Sequence, residues 1–408
     1  MTMAANAWGT PPSLTYDRLA EPFRPIFQRI AAEAVQRDRE RRLPHDQLAW
    51  LRQAGFTALR IPVEHGGLGA TLPELFGLLS ELAEADSNLT QALRAHFGFV
   101  EDLLNTADTA WRDRWYQRIV AGETVGSGWS ETGNETVGKL STTLTRDGDH
   151  WRINGQKFYT TGSYFADWIG AGAVDGDGDT VSALVSTRAE GVDVIDDWDG
   201  FGQKMTGSGT AKFADSPVDD DQVRPASERF VYRIAFFQLV HLATLAGIGR
   251  AAANEVAQAV AERPRTYSHA AAAASRQDPQ VLQVVGRVRA LAYAAGAIVA
   301  KAAQATQTAF EAGQGTDAGL ALALSEIEVA QAQVVVPRLI LDAATILFDA
   351  LGASASRGSR GFDRHWRNAR TLSSHNPLIY KERIIGDYAV NGTPPPLTWF
   401  AEEKIAAE

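Results

Sequence analysis

Hydrophobic periodicity changes twice along this chain, from helical spacing to alternation near residue 124 and back to helical spacing near residue 227; few folds accommodate that order. Up to Gly122, apolar residues recur every three or four positions with Gly or Pro between segments; Leu48, Leu51 and Ala54 mark one face and Gly55 ends it. A loop over Pro62–Gly69 precedes a helix from about Leu72 to Ala85, and Asp86 with Ser87 reads as an N-cap for the segment carrying His96. From about Thr124 to Pro225 the runs become short and β-branched or aromatic, broken by turns at Asp147–Asp149, Ile153–Gly155 and Asp175–Gly178, the pattern of a compact antiparallel β domain. Alanine-rich helices follow over Arg229–Arg263, Asp278–Gly313 and Gly319–Leu351; alanine lets helices approach closely, which favours a tight bundle with contacts to further subunits. The expected domains are 1–124, helical; 125–226, β; and 227–408, a helical bundle with a tail.

Composition removes several function classes. With 408 residues, 45% of them hydrophobic, the chain can bury a large core. A formal net charge of −10 argues against a broad nucleic-acid surface, which needs clustered cations. Zero cysteines exclude disulfides, thiolate metal sites and a cysteine nucleophile, and fit a reducing compartment. His45, His65, His150, His241, His269 and His365 show neither metal-ligand spacing nor a motif, so no metal is expected and these residues take no role. No run reaches the approximately 18 uninterrupted apolar residues that a bilayer crossing needs, and Met1–Pro12 lacks a signal-peptide pattern, so a cytoplasmic protein without membrane contact is expected. No Gly-rich strand-to-helix turn marks a nicotinamide site, so electrons for any redox step come from elsewhere.

Several motifs carry a resemblance. Pro62–Gly69, Ser127–Glu131 (SGWSE) and Lys157–Thr161 (KFYTT) resemble a loop and two flavin-contacting strand ends of the acyl-CoA dehydrogenase superfamily. Gly361–Pro396 and the stretch Asp196–Trp198 with Gly202–Gly209 (GQKMTGSG) resemble its dibenzothiophene monooxygenase branch and related sulfone and sulfinate monooxygenases. The resemblance implies an α+β, mainly α fold: an N-terminal helical domain, a middle antiparallel β-barrel or sandwich, and a C-terminal four-helix bundle. The Gly386–Pro396 tail is too rich in Gly and Pro for a regular helix and is expected to fold back over the active site as a cover, with a disordered terminus as the alternative. A dehydrogenase of this superfamily carries its catalytic glutamate shortly after the segment that is Arg367–Arg370 here, and in this register the position is Asn376. A neutral amide has no basic lone pair with which to take the alpha proton of an acyl thioester.

The same resemblance supplies candidate residues. His96 and His375 match two histidines beside the flavin, and Thr161 matches a hydroxyl at flavin N5; these are the catalytic candidates. Ser127, Trp129, Ser130, Tyr159, Thr161 and Trp198 match flavin-contacting positions, and Arg265 matches an arginine for the flavin phosphate, with Arg263 as its competitor. Taken alone, a histidine on a helix such as His96 is more often structural. The Gly352–Gly358 loop, where dehydrogenases hold the adenine half of FAD, has a reduced glycine pattern, which makes FMN the expected cofactor and FAD the less favoured one. The implied reaction uses reduced FMN from a separate NAD(P)H flavin reductase and O2, passes through a C4a-hydroperoxide, and oxygenates a small organosulfur substrate within a homotetramer. N-oxygenation or aromatic hydroxylation is the alternative on the same fold; acyl-CoA dehydrogenation and a non-catalytic flavin-binding role are the others.

Overall fold

The computed structural model describes residues 7–132, 140–313 and 315–397. The first helices are α1 (Tyr16–Ala20), α2 (Arg24–Ala32), α3 (Ala34–Glu40), α4 (His45–Gln53), α5 (Leu72–Ala92), α6 (Arg94–Asn105) and α7 (Thr109–Val120). The strands are β1 (Val125–Gly128), β2 (Thr143–Asp147), β3 (His150–Lys157), β4 (Trp168–Val174), β5 (Thr180–Ser186), β6 (Val192–Ile195), β7 (Thr210–Asp219) and β8 (Val223–Pro225). The chain then returns to helix with α8 (Arg233–Ala261), α9 (Pro279–Ala312), α10 (Ala318–Leu351), α11 (Asp363–Ser373) and α12 (Ile379–Asn391). The fold is α+β and mainly α, as the resemblance implied.

A capping box starts α5: the Thr71 hydroxyl accepts from the Glu74 amide, and the Glu74 carboxylate accepts from the Thr71 amide at 2.8 Å. The helix breaks at Asp86, whose φ and ψ of −161° and 109° are extended. There the carboxylate accepts from the Asn88 amide (3.1 Å), as an N-cap does, and is anchored by buried Arg37 at 2.8 Å. The capped segment stops at Ala92, so His96 lies one helix further on than expected, in α6. Phe23, Phe56, Phe76 and Phe97 from the first helices share one core with Phe236, Leu239 and Ile340 from the last, so the two helical parts pack as a single body.

The strands form one sheet in the order β6-β7-β3-β2-β4-β5-β8, with β1 added on β4. The expectation of a wholly antiparallel domain needs correcting at two joints: β1 runs parallel to β4, with Ser127 opposite Gly170, and Thr143 of β2 meets Val174 of β4 in parallel. A hairpin reverses direction, whereas the β1-to-β4 connection is a long crossover that preserves it.

α8 and α9 are both long and apolar enough to cross a bilayer by composition, yet 94% of α8's apolar window is buried in the protein against 17% of α9's. The tail also departs from expectation. α12 runs through Gly386 to Asn391 and ends at Gly392 in the left-handed region (φ 71°), because one interior glycine costs only about 1 kcal/mol and the prolines start at Pro394. Its packing is against α10, including an Arg338–Glu382 ion pair at 2.5 Å, and none of its residues is buried.

Candidate active site

Two pieces of the β domain meet at one sheet edge. The Ser127 amide donates to the Thr161 carbonyl (3.0 Å), and the Phe158 amide donates to the Ser130 carbonyl (2.9 Å). This gathers Ser127, Trp129, Ser130, Tyr159 and Thr161, and Trp198 joins them edge-on to Tyr159 at 5.7 Å between ring centroids. Tyr159 is 47% exposed, an uncovered aromatic face beside a row of hydroxyls. Glu131, the acid of the SGWSE motif, turns away from this edge. It pairs with buried Lys157 (2.5 Å) and accepts from Ser141 and Thr142, which hold its carboxyl far below the usual range despite the opposing effect of burial.

The loop 202–209 is wedged between this edge and the helices. The Gln203 amide donates to Asn368 (2.7 Å), its side chain donates to Ser87 (2.9 Å), and the Met205 amide donates to Asn88 (3.2 Å). The break at Asp86 therefore turns two helix residues into a dock for the loop. Ser208 Oγ then lies 2.8 Å from Thr161 Oγ1 and 2.7 Å from Thr206 Oγ1, while Thr206 donates to the Gln203 carbonyl (3.0 Å). A carbonyl can only accept, so the hydroxyl protons run in one direction: Thr161 gives to Ser208, and Ser208 gives to Thr206. Thr161 Oγ1 is left with lone pairs, an acceptor.

On the helical side of the molecule lies a pair of imidazoles. His375 follows the end of α11; its Nδ1 lies 2.9 Å from Asn376 Oδ1, so Nδ1 carries the proton and Nε2 keeps its lone pair. His241 of α8 lies against it, with 4.3 Å between ring centroids. His375 is exposed at the surface of the chain, and the packed protein around it with the nearby Arg94 charge lowers its pKa, while desolvation with the His375 neighbour drives fully buried His241 well below 6.5. Both imidazoles are neutral at pH 7. Behind them a recess is lined by Gln238, His241, Gln333, Leu372, Asn376 and Leu378 among others, with no Asp or Glu among the described residues of its walls.

His96 does not meet the expectation of a donor in the cleft. It is fully buried, with Nε2 donating to the Thr57 carbonyl (2.8 Å) and Nδ1 accepting from the Val125 amide (3.4 Å). Both nitrogens are spent on backbone, and the ring pins β1 two residues ahead of Ser127. Arg265 is exposed in the loop after α8, apart from the sheet edge, and its guanidinium has no partner among the described residues. Arg263 instead donates to the Ala350 carbonyl (3.2 Å) near the end of α10, so it is the helix-end cation. Sequence pattern alone assigns His241 no role. The available signal is its spacing from Gln238, three residues apart on one face of the largely apolar first half of α8.

Three acyl-CoA dehydrogenase domain models match in chain order: the N-terminal domain over residues 18–123, the middle domain over 128–216 and the C-terminal domain over 239–378. A Pseudomonas putida protein named probable FMNH2-dependent monooxygenase SfnC is 29% identical, with 93% of this chain and 96% of that protein covered. The FMN-bound structure of TdsC from Paenibacillus sp. A11-2 superposes with a TM-score of 0.87 at 28% identity, covering 94% of this chain and all of that one. The methanesulfinate monooxygenase MsuC from Pseudomonas fluorescens gives a TM-score of 0.84 at 26% identity, covering 93% and 98%. By its three domains in order, and by likeness along nearly its whole length to monooxygenases built the same way, this chain belongs to the acyl-CoA dehydrogenase family, in its flavin-dependent monooxygenase branch.

Proposed function

We propose that this protein is an FMNH2-dependent monooxygenase that oxygenates a small organosulfur compound, with reduced FMN delivered by a separate reductase. The observation that carries the reading is the imidazole pair without a carboxylate: the position that would hold a dehydrogenase base is the amide Asn376, and it serves to orient His375. The relatives named as FMNH2-dependent, FMN-bound and sulfinate-oxidising support the cofactor and the substrate class.

The chain's residues suit FMN. A flat heteroaromatic ring fits the Tyr159 face and the hydroxyl row of Ser127, Ser130 and Thr161, and Trp198 closes one end. The guanidinia nearest that end are occupied, Arg41 with Asp196 (2.7 Å) and Arg367 with Asp38 (2.5 Å), so neither is available for a phosphate. Unpartnered Arg265, brought by a neighbouring subunit, would meet that need by paired charge-assisted bonds. The apolar, outward-facing α9 supports an assembly of copies, which we take to be a homotetramer.

When bound, reduced FMN supplies two electrons and activates O2, so that one oxygen atom goes to sulfur and the other leaves as water. Thr161 Oγ1, an acceptor by the direction of its hydroxyl chain, would hold a reduced flavin by accepting from a ring N–H. His375 Nε2 holds and returns the proton of the oxygen being reduced; its neutral state at pH 7 leaves the lone pair free. His96 acts as a positioning residue through β1. Substrate profiling with a flavin reductase and NADH tests the reading: S-oxygenated product from a thioether or a sulfinate supports it, and reduction of the bound flavin by an acyl-CoA in the absence of NADH overturns it.

A further inference from the structure

Arg94, the first residue of α6, is a guanidinium without a carboxylate partner among the described residues. Its one hydrogen bond among the described residues runs from Nε to the Phe237 carbonyl (3.2 Å), leaving four N–H donors free, and its Cζ lies 4.5 Å from the Phe237 ring centroid. It ends a stack that begins at the sheet edge: Arg229 lies 4.7 Å over Trp129 and 5.7 Å from Phe237, with Arg94 beyond. The acid beside the stack, Asp102, is already engaged by Arg229 (3.3 Å) and by the Phe230 amide (3.0 Å). Burial and the Arg229 charge bring Arg94 down to about 9, so it is still a cation at pH 7.

A second observation lies beside the histidine pair. Gln238 Nε2, His241 Nε2 and Gln333 Oε1 are buried atoms without partners among the described residues, and all three belong to residues lining the recess. These side chains are only 2%, 4% and 4% exposed. Buried polar atoms left unpaired, next to a cation left without a counter-ion, are costly unless a ligand completes them.

Resting on the monooxygenase reading, the geometry points to a substrate that is itself an anion, an alkyl or aryl sulfinate, whose oxygens take the free N–H groups of Arg94 while its sulfur lies toward His375. Two sulfinate oxygens match the guanidinium fork, and the sulfur keeps a lone pair for oxidation. The step balances: sulfinate, O2 and FMNH2 give sulfonate, water and FMN. Sulfur gains one oxygen and loses two electrons, the flavin loses two more, and its two hydrogens leave in the water. A neutral sulfide or sulfone leaves Arg94 unmatched.

Equilibrium titration of the FMN-loaded protein, with no reductant present, tests this without using turnover. Methanesulfinate and benzenesulfinate are compared with dimethyl sulfone, a neutral probe of similar shape to the first. The native protein is expected to prefer a sulfinate, Arg94→Gln to lose about 10- to 100-fold of that affinity, and Arg94→Lys to keep most of it, with FMN binding unchanged. On the native protein alone, sulfinate affinity falls as salt rises while sulfone affinity does not, which holds even if the Gln variant does not fold. Equal affinity for sulfone and both sulfinates, or full sulfinate affinity in a folded Arg94→Gln protein, overturns the inference. Sulfinate binding without oxygenated product on adding FMNH2 and O2 would instead sink the monooxygenase reading and leave the anion site standing.

Discussion

His375 and His96 are both imidazoles with lowered pKa values, His96 pushed down to about 4 by full burial, yet exposed His375 has a free nitrogen and His96 has none. For His375→Ala, turnover is expected to fall about 100-fold or more with little loss of stability, as removal of a proton-handling group does; a steady-state assay with saturating FMNH2 measures it. His96 should show the reverse balance. Its folded pKa lies below the unfolded value near 6.5, so the unfolded chain takes up a proton that the folded one refuses. The stabilisation is complete above pH 6.5 and is lost as pH falls toward 4, approaching about 3 kcal/mol at the lower end. Urea unfolding at pH 7 and pH 4.5 should give a larger stability loss for the native protein than for His96→Gln, and an identical loss would contradict the role. The hydroxyl chain carries its own prediction. Ser208→Ala frees the Thr161 proton to donate toward an oxidised ring, so the preference for FMNH2 over FMN should fall by about fivefold, read as a rise in affinity for oxidised FMN relative to reduced.

At the scale of elements, the break in α5 is what lets the loop 202–209 reach Thr161. Asp86→Asn removes the carboxylate that holds buried Arg37 and is expected to cost about 3–5 kcal/mol by chemical denaturation, with weaker FMN binding in the protein that remains folded. Unchanged FMN affinity at reduced stability would separate the break from the site. Much of this level was legible in the sequence, because periodicity and caps are local: α8, α9 and α10 fall within a few residues of their expected ends, and Asp86 was read as a cap. What escaped is non-local. The parallel β1–β4 pair depends on a crossover that no turn sequence announces, and the Ser208 contact to Thr161 joins residues far apart in sequence through a loop with no periodicity of its own. The His241–His375 pair joins two helices in the same way, so a motif could supply His375 but not its neighbour. Gly386 misled for the opposite reason: a local preference worth about 1 kcal/mol was overridden by a helix that packs on α10.

The whole molecule holds the edge proposed for the flavin, a pair of imidazoles, and Arg265 exposed in the loop after α8, the cation proposed for the phosphate. If Arg265 serves the neighbour's flavin, then Arg265→Gln and His375→Ala, each weak alone, should recover activity when their subunits are mixed and reassembled. Mixed sites would combine an intact His375 with an intact Arg265, and no recovery would place the phosphate on residues of the same chain. The central claim is that a cleft lacking a carboxylate base turns O2 and reduced FMN into an S-oxygenation. Its most direct test is a reaction of chemically reduced FMN and the protein with 18O2, in which mass spectrometry follows methanesulfinate and a simple thioether. The account predicts one labelled atom in the sulfur product and none when the label is in water; unlabelled product, or none at all alongside flavin reduction by an acyl-CoA, would contradict it.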